Sequence, residues 1–550
     1  MSYFDIDVYS RQVTTKSPEA QRWFDRGLVW TFAYHHEEAI ECFKQALEHD
    51  ADCAMAHWGI AYAVGPNYNL EWYHFDPDGK AQALATAFDA TAAAMDLVEQ
   101  VTAPERALIE ALPARYPQRE PIDEQEPWND DFADAMRRAY SKHREDLEVA
   151  TIFVEAILNR TPWKMWDLQT GDVAEGAGTT EAREVLERAM REDTAAMRHP
   201  GILHLYVHLM EMSPFPELAL KAGDVLRTLV PDAGHLIHMP THIDVQCGHY
   251  HNVLVDNQRG IAADRKYYDK VGALNFYSAY RLHNYHFAIY GAMFLGQYEP
   301  ALAAAEELIE TTPEELLRLP SPPMADFIES YISMKQHVYI RFGKWREIID
   351  QDLPEDRELF CVTIASIHYS KGVAHAALGE VEEAEKEKAL FLAARNKVPD
   401  SRLLHTNTCV DLLAIATEML DGEIEYRKGN HDSAFAHLRR AVELDDALLY
   451  DEPWGWIQPS RHALGALLLE QGRIDEAEAT YREDLGLGGN LSRALIHPDN
   501  VWSLQGLHEC LLQKGETSEL RLIKQRLDLA MARADMPVNA SCFCAQAAAG

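Results

Sequence analysis

Small residues recurring in a 34-residue frame constrain this 550-residue chain more tightly than any other feature. Nearly every segment is rich in Ala, Leu, Glu and Arg, with apolar residues three or four apart and no alternating β-branched runs, so the chain reads as helices. Counting a frame from residue 20, Trp23, Gly27, Trp30, Ala39, Phe43 and Ala46 fall at its fourth, eighth, eleventh, twentieth, twenty-fourth and twenty-seventh places. The frame returns with Gly372, Gly379 and Ala384, with Gly422, Gly429, Ala434 and Ala441, and with Gly465, Gly472, Ala477 and Tyr481, and more weakly with Trp502 and Gly506. Small residues at such places let two helices lie close together. A helix pair cannot bury its apolar face alone, so successive pairs must stack into a solenoid with a concave side.

This spacing resembles the tetratricopeptide repeat, which implies an all-α solenoid of antiparallel helix pairs enclosing a groove. We read 1–550 as one such solenoid, with an N-terminal repeat at 21–70, a histidine-rich section at 199–312 and C-terminal repeats at 365–535. Breaks in the pattern at 112–130, 161–180 and 311–325, the last holding Pro313, Pro320, Pro322 and Pro323, are expected to be loops. The balance of 51 basic against 88 acidic side chains gives a formal charge of −37. A surface so acidic repels phosphate backbones and anionic membranes, which excludes nucleic-acid and membrane-surface binding as the main activity. The start of the chain lacks a basic and apolar leader and no run approaches the roughly 18 apolar residues of a span, so a cytoplasmic protein is expected. Eight scattered cysteines are expected to be reduced and mostly buried. Cys542 and Cys544 form a Cys-x-Cys pair of soft thiols suited to copper, or to closing a site, in a tail expected to be mobile.

The unusual abundance is histidine: there are 25, and ten lie between His199 and His286. They form three motifs, His199-Pro-Gly-Ile-Leu-His204-Leu-Tyr-Val-His208-Leu-Met-Glu211, Gly234-His235-Leu-Ile-His238-Met-Pro-Thr-His242, and His283-Asn284-Tyr-His286-Phe. Spacings of three and four put each set on one helix stripe. With repeats starting at 200, 234 and 282, His204, His238 and His286 share the fifth place, His208 and His242 the ninth, His235 and His283 the second, and Glu211 the twelfth. In tetratricopeptide proteins these places line the groove, so the resemblance implies convergence of all eight. Neutral imidazole is the commonest transition-metal ligand and carboxylate its usual companion. His204, His208, His238, His242 and His286 are therefore the candidate ligands of one or two ions, copper or iron favoured and zinc an alternative. Glu211 is a ligand or general base, and His235 and His283 contact substrate or support the ligands. Pro240 should kink the second motif. His35 and His36, in the first turn, should be solvated.

Nearly the whole length also resembles a family of large bacterial and fungal tetratricopeptide-repeat proteins that share these histidine motifs. Further motifs carrying that resemblance are Cys53-Ala-Met-Ala-His-Trp58-Gly, Gly65-Pro-Asn-Tyr-Asn69, Ser541-Cys542-Phe-Cys544 and Tyr450-Asp-Glu-Pro-Trp454-Gly-Trp456-Ile-Gln-Pro-Ser-Arg461-His462-Ala-Leu-Gly465. In the last, His462 takes the fifth place of a repeat starting at 458. His462 and Arg461 are candidate catalytic groups, with Trp454 and Trp456 as pocket walls or as plugs of the core. No phosphate loop, dinucleotide fingerprint, nucleophile elbow or His-Glu-x-x-His motif is present. The reading that follows is a metal-dependent oxidase or oxygenase acting on a small molecule, with self-association left open. A zinc hydrolase and a peptide-binding scaffold with a structural metal are the alternatives.

Overall fold

Helices begin where capping chemistry dictates. Ser17 accepts the Ala20 amide ahead of Pro18–Phe32, Asp146 accepts the Val149 amide ahead of Leu147–Leu158, and Asn500 accepts the Ser503 amide ahead of Val501–Lys514. The computed structural model describes residues 3–545. Within them antiparallel helix pairs succeed one another, and the strands are the two-residue Leu403–Leu404 and Asn407–Thr408. The fold is an all-α, tetratricopeptide-like solenoid.

The chain folds as two units. One holds the described residues up to Ile243 together with Arg259–Gly272, and its pairs include Pro18–Phe32 with His36–His49, Leu147–Leu158 with Thr179–Glu192, and Pro200–Glu211 with Leu220–Leu229. The fully buried Phe43 ring is gripped between two glycines: a Cβ added at Gly27 or at Gly59 would lie 2.6 Å from it. One side chain thus locks Pro18–Phe32, His36–His49 and Ala54–Ala63 together, and burying a Phe contributes about 1.5–3 kcal/mol. The other unit holds Asp244–Gln258 and the described residues from Ala273 onward. It repeats the device with Tyr481, set between Gly465 and Gly506 where a Cβ would come within 2.6 and 2.1 Å of the ring.

Turns inside the pairs share one backbone device. The fifteenth place of the frame holds a left-handed glycine at Gly248, Gly296, Gly379, Gly429 and Gly472, with φ between 70 and 82°. In the first repeat that place is Tyr34, left-handed at φ 53°.

Several expectations are corrected. His35 is buried rather than solvated, at 1% exposure, because its ring packs on Trp30 and Tyr267. Cys542 and Cys544 are joined as a disulfide rather than reduced, although Cys42, Cys53, Cys361, Cys409 and Cys510 are free and buried as expected. The tail is packed down as far as Cys544 rather than loose, since Ser541 and Cys544 are buried. The loops are narrower than the sequence pattern suggests, with Ala103–Arg115 running through Pro113 and the next helix starting at Glu126. Gly27→Leu should force the Phe43 ring out of its socket and cost about 1–3 kcal/mol, read as a lower unfolding midpoint in urea.

Candidate metal centre

Local sequence chemistry sets the histidine helices in place. His199 caps Pro200–Glu211, its Nδ1 accepting the Ile202 amide at 3.2 Å while Nε2 lies 3.3 Å from Glu148. Gly201 lets this helix press on its neighbours, since a Cβ there would lie 2.7 Å from Phe32 and 2.8 Å from Thr151. That approach brings the Phe32 carbonyl to 2.6 Å from His204 Nδ1. His208 and Glu211 follow at one-turn intervals on the same stripe. In the second motif the expected kink is a full break: the helix Gly234–His238 ends and a new one starts at Pro240.

Five imidazoles of the first unit close into a ring of contacts. Centroids are 4.7 Å apart for His204 and His208, 6.2 Å for His208 and His242, 4.8 Å for His242 and His238, 5.7 Å for His238 and His235, and 4.9 Å for His235 and His204. All five are buried, none more than 1% exposed. Ligand atoms of His204, His208 and His235 lie within 4.8 Å of one another. Tyr34 covers them, its ring 4.6 Å from His204 and stacked on His208 and His235 at 5.8 and 5.7 Å. Tyr68 and Trp163 pack on His208 at 4.7 and 5.8 Å.

The carboxylate of Glu211 is divided between two rings. Oε1 lies 3.0 Å from His208 Nδ1 and Oε2 lies 2.7 Å from His242 Nδ1. A ring whose Nδ1–H donates to a carboxylate or carbonyl presents Nε2 as a lone pair, the tautomer that binds metal. The Glu211 hydrogen bond favours this tautomer for His208 and the Phe32 carbonyl favours it for His204, while Glu211 Oε2 lies beside His242 Nδ1 at ion-pair distance. Two Nε2 pairs then face each other, His204 and His235 at 3.2 Å and His238 and His242 at 2.8 Å. Two nitrogens on one tetrahedral ion at the usual bond length would be separated by about 3.3 Å. The His204–His235 separation matches this and the His238–His242 one is shorter, so the first pair, with His208 beside it, is the one whose spacing fits a transition-metal ion.

Burial, reinforced by the neighbouring imidazole of His208, pushes His204 well below its usual range. Burial and the charges of His204 and His238 do the same to His235. Both rings are held neutral, as ligation requires.

The remaining predicted residues lie in the second unit. His283 and His286 share Tyr277–Phe294, where His283 stacks at 4.8 Å on His405, itself 2.7 Å from Asp451. Both ring nitrogens of the buried His286 lack a hydrogen-bond partner among the described residues, and burial takes its pKa down to about 3. His462 accepts a hydrogen bond on Nδ1 from Arg341 at 3.0 Å and donates from Nε2 to Asp484 at 3.0 Å. Burial, against the pull of Asp484, sets it at about 4. Arg461 is paired with Asp446 at 2.5 Å, and Trp454 donates to Asp445 at 3.0 Å. Trp456 packs on His337 and Tyr369.

Tyr34, Trp163 and His405 were not singled out from the sequence, yet each touches a predicted histidine. They are three of the four described non-glycine residues with positive φ, at 53, 56 and 56°. Left-handed backbone at bulky residues costs about 1–2 kcal/mol and collects at functional sites. For Tyr34 the signal was present, because it stands at the fifteenth place where five other repeats have glycine.

No protein-family model matches the chain, and no curated protein does. Among solved structures it is similar to an IFIT1 monomeric mutant with Gppp-AAAA, at 14% identity and TM-score 0.28 over 94% of this chain and 91% of that one. It is also similar to the P58(IPK) TPR domain, at 14% identity and TM-score 0.18 over 77% and 99%, and to the APC/C heterotetramer Cut9–Hcn1, at 12% and 0.23 over 98% and 97%. These superpositions are loose, and the fold assignment stands on the helix pairs and glycine sockets of the chain itself. Among the described residues no helix is long and apolar enough to cross a membrane.

The depressed histidines fix a pH dependence. Below about 6.5 the unfolded chain protonates His204 and His235 while the native state does not, so the unfolded state binds more protons and stability falls with pH. Metal-free protein should lose about 2 kcal/mol from these two groups between pH 6.5 and 5.5, read from urea unfolding at each pH.

Proposed function

We propose that the protein is a tetratricopeptide-like scaffold built around a buried transition-metal centre, with His204, His208, His235, His238 and His242 as the donor pool. The observation that carries this reading is the closed ring of five buried imidazoles with one carboxylate set against two of them. Independent core histidines have no reason to share Glu211 or to pair Nε2 against Nε2. Glu211 orients His208 and His242 in this reading, rather than serving as ligand or base. A bound ion would add Lewis acidity or, for copper or iron, redox chemistry. The protein residues supply the rest: they hold neutral nitrogens in place, exclude water, and roof the site with Tyr34. The burial of every donor favours a held ion in a scaffold over an open catalytic one.

A second reading, an oxidase or oxygenase acting on a small molecule, is favoured by one observation. The pool has five nitrogens and no thiolate, more donors than a closed tetrahedral zinc site uses. Zinc-dependent hydrolysis lacks a comparable support, since Glu211 is engaged by two rings. The acidic surface directs either form of the protein away from phosphate-rich partners.

Metal analysis of protein purified without an affinity tag tests the proposal. We expect at least one equivalent of zinc, copper or iron after reconstitution, lost in the His204→Ala/His235→Ala double variant; less than about 0.2 equivalents in the reconstituted native protein contradicts it. Glu211→Gln should weaken metal binding about 10- to 100-fold in chelator competition while the helical circular dichroism is kept. Dioxygen uptake by the loaded protein with a chemical reductant, absent from the double variant, would favour the oxidative reading over the scaffold.

A further inference from the structure

A second site of chemistry lies in the second unit, apart from the histidine ring. Cys542 and Cys544 are disulfide-bonded, and both line a part-open cavity together with Arg341, Glu423, Trp456 and His462. The segment is strapped down from several sides. Arg341 donates to the Ser541 carbonyl at 2.9 Å, Arg427 donates to the Cys544 carbonyl at 2.5 Å, and the Ser541 hydroxyl bonds the His462 carbonyl at 2.7 Å. The Phe543 ring sits where a Cβ on Gly343 would come to 2.9 Å. Cys544 is buried and Cys542 is half-buried.

Two arginines stand against the pair, and the nearby carboxylates are engaged, Asp484 by His462 at 3.0 Å. Two guanidiniums hold the carbonyls that flank it, and Glu423, the carboxylate on the cavity wall, is paired with Arg427 at 2.7 Å. His462 is neutral, its Nδ1 occupied by Arg341. The amide of Cys544 donates to Cys542 Sγ at 3.3 Å. Cations and an amide N–H beside a sulfur stabilise thiolate, and a partly exposed sulfur in such surroundings is where thiol chemistry occurs. Structural disulfides are usually enclosed and staple segments distant in sequence. This one closes a loop across a single intervening residue, so it constrains little of the chain.

We propose that Cys542 and Cys544 form a thiol–disulfide exchange site for a low-molecular-weight thiol. The thiolate of the small thiol attacks Cys542 Sγ, on the more exposed of the two residues. The bond to Cys544 breaks and leaves Cys544 as a thiolate in the field of Arg341 and Arg427, giving a mixed disulfide on Cys542. A second small thiolate then attacks the small-molecule sulfur of that mixed disulfide and releases the Cys542 thiolate. In sum two small thiols are oxidised to their disulfide, the protein pair is reduced by two electrons, and the two protons of the small thiols pass to the protein thiolates or to water. The reverse sequence reoxidises the pair with a small disulfide. Arg341 is a positioning residue: it stabilises thiolate through charge and holds Ser541.

Glutathione and oxidised glutathione are the probes, applied to the native full-length protein and read by intact-mass and peptide mass spectrometry. The expected result is reversible reduction of the Cys542–Cys544 bond with the fold retained. In Cys544→Ser, oxidised glutathione should add one glutathionyl group at Cys542 at least tenfold faster than at the half-buried Cys247. Arg341→Gln should slow that addition several-fold near neutral pH and shift its rate profile toward higher pH, with Arg341→Lys restoring part of the rate. A pair that glutathione reduces only when the protein is unfolded overturns the proposal. So does addition to Cys542 no faster than to Cys247, or an Arg341→Gln profile that does not move. If Cys544→Ser proves unstable, the native protein, reduced and then given oxidised glutathione in a quenched time course, carries the same comparison of Cys542 with Cys247.

Discussion

Close approach of helices at glycine, with an aromatic ring as the key, is the contact on which the rest depends. Phe43 between Gly27 and Gly59, and Tyr481 between Gly465 and Gly506, hold consecutive helices at one separation and one rotation. Once rotation is fixed, residues at equivalent places of successive repeats face the same way. Gly201 extends the principle to the centre itself, because only a residue without a side chain lets the Phe32 carbonyl reach His204. The histidine ring is therefore a product of packing that is decided at positions carrying no chemistry.

Glu211 links packing to chemistry. A buried carboxylate is costly unless its oxygens are satisfied, and here each faces one imidazole Nδ1. The hydrogen bond to His208 favours the tautomer whose Nε2 is a metal donor, and the second oxygen stands against His242. Loss of the carboxylate would leave rings free to rotate and to carry the wrong proton. The strained turn at Tyr34 belongs to the same arrangement: five repeats place glycine there, and the first gives up that ease to put an aromatic roof over three histidines.

Much of this was legible from residue spacing. The frame located the pairs that begin near Pro18, Pro200, Tyr277, Cys361, Cys409 and Ser460, because their turns are short and their small residues keep phase. It did not resolve the pairs between Ala54 and Glu192, where long connections such as 64–76 and 159–178 break the count. Phase also grouped eight residues, His204, His208, Glu211, His235, His238, His242, His283 and His286, of which the first six lie together in the first unit. What spacing could not reveal is contact between distant segments: the Phe32 carbonyl, Tyr68 and Trp163 reach the site from other helices and loops. Nor could it show the burial of His35, or a C-terminal segment fastened by Arg341 and Arg427, since hydrogen bonds across more than a hundred residues leave no periodic trace.

X-ray absorption at the edge of the bound metal tests the central claim most directly. A centre held by the histidine ring predicts a nearest shell of nitrogen or oxygen at about 2.0–2.1 Å, with the multiple-scattering pattern of several imidazoles and no sulfur. A nearest shell with sulfur at about 2.3 Å, or one without imidazole scattering, would contradict it.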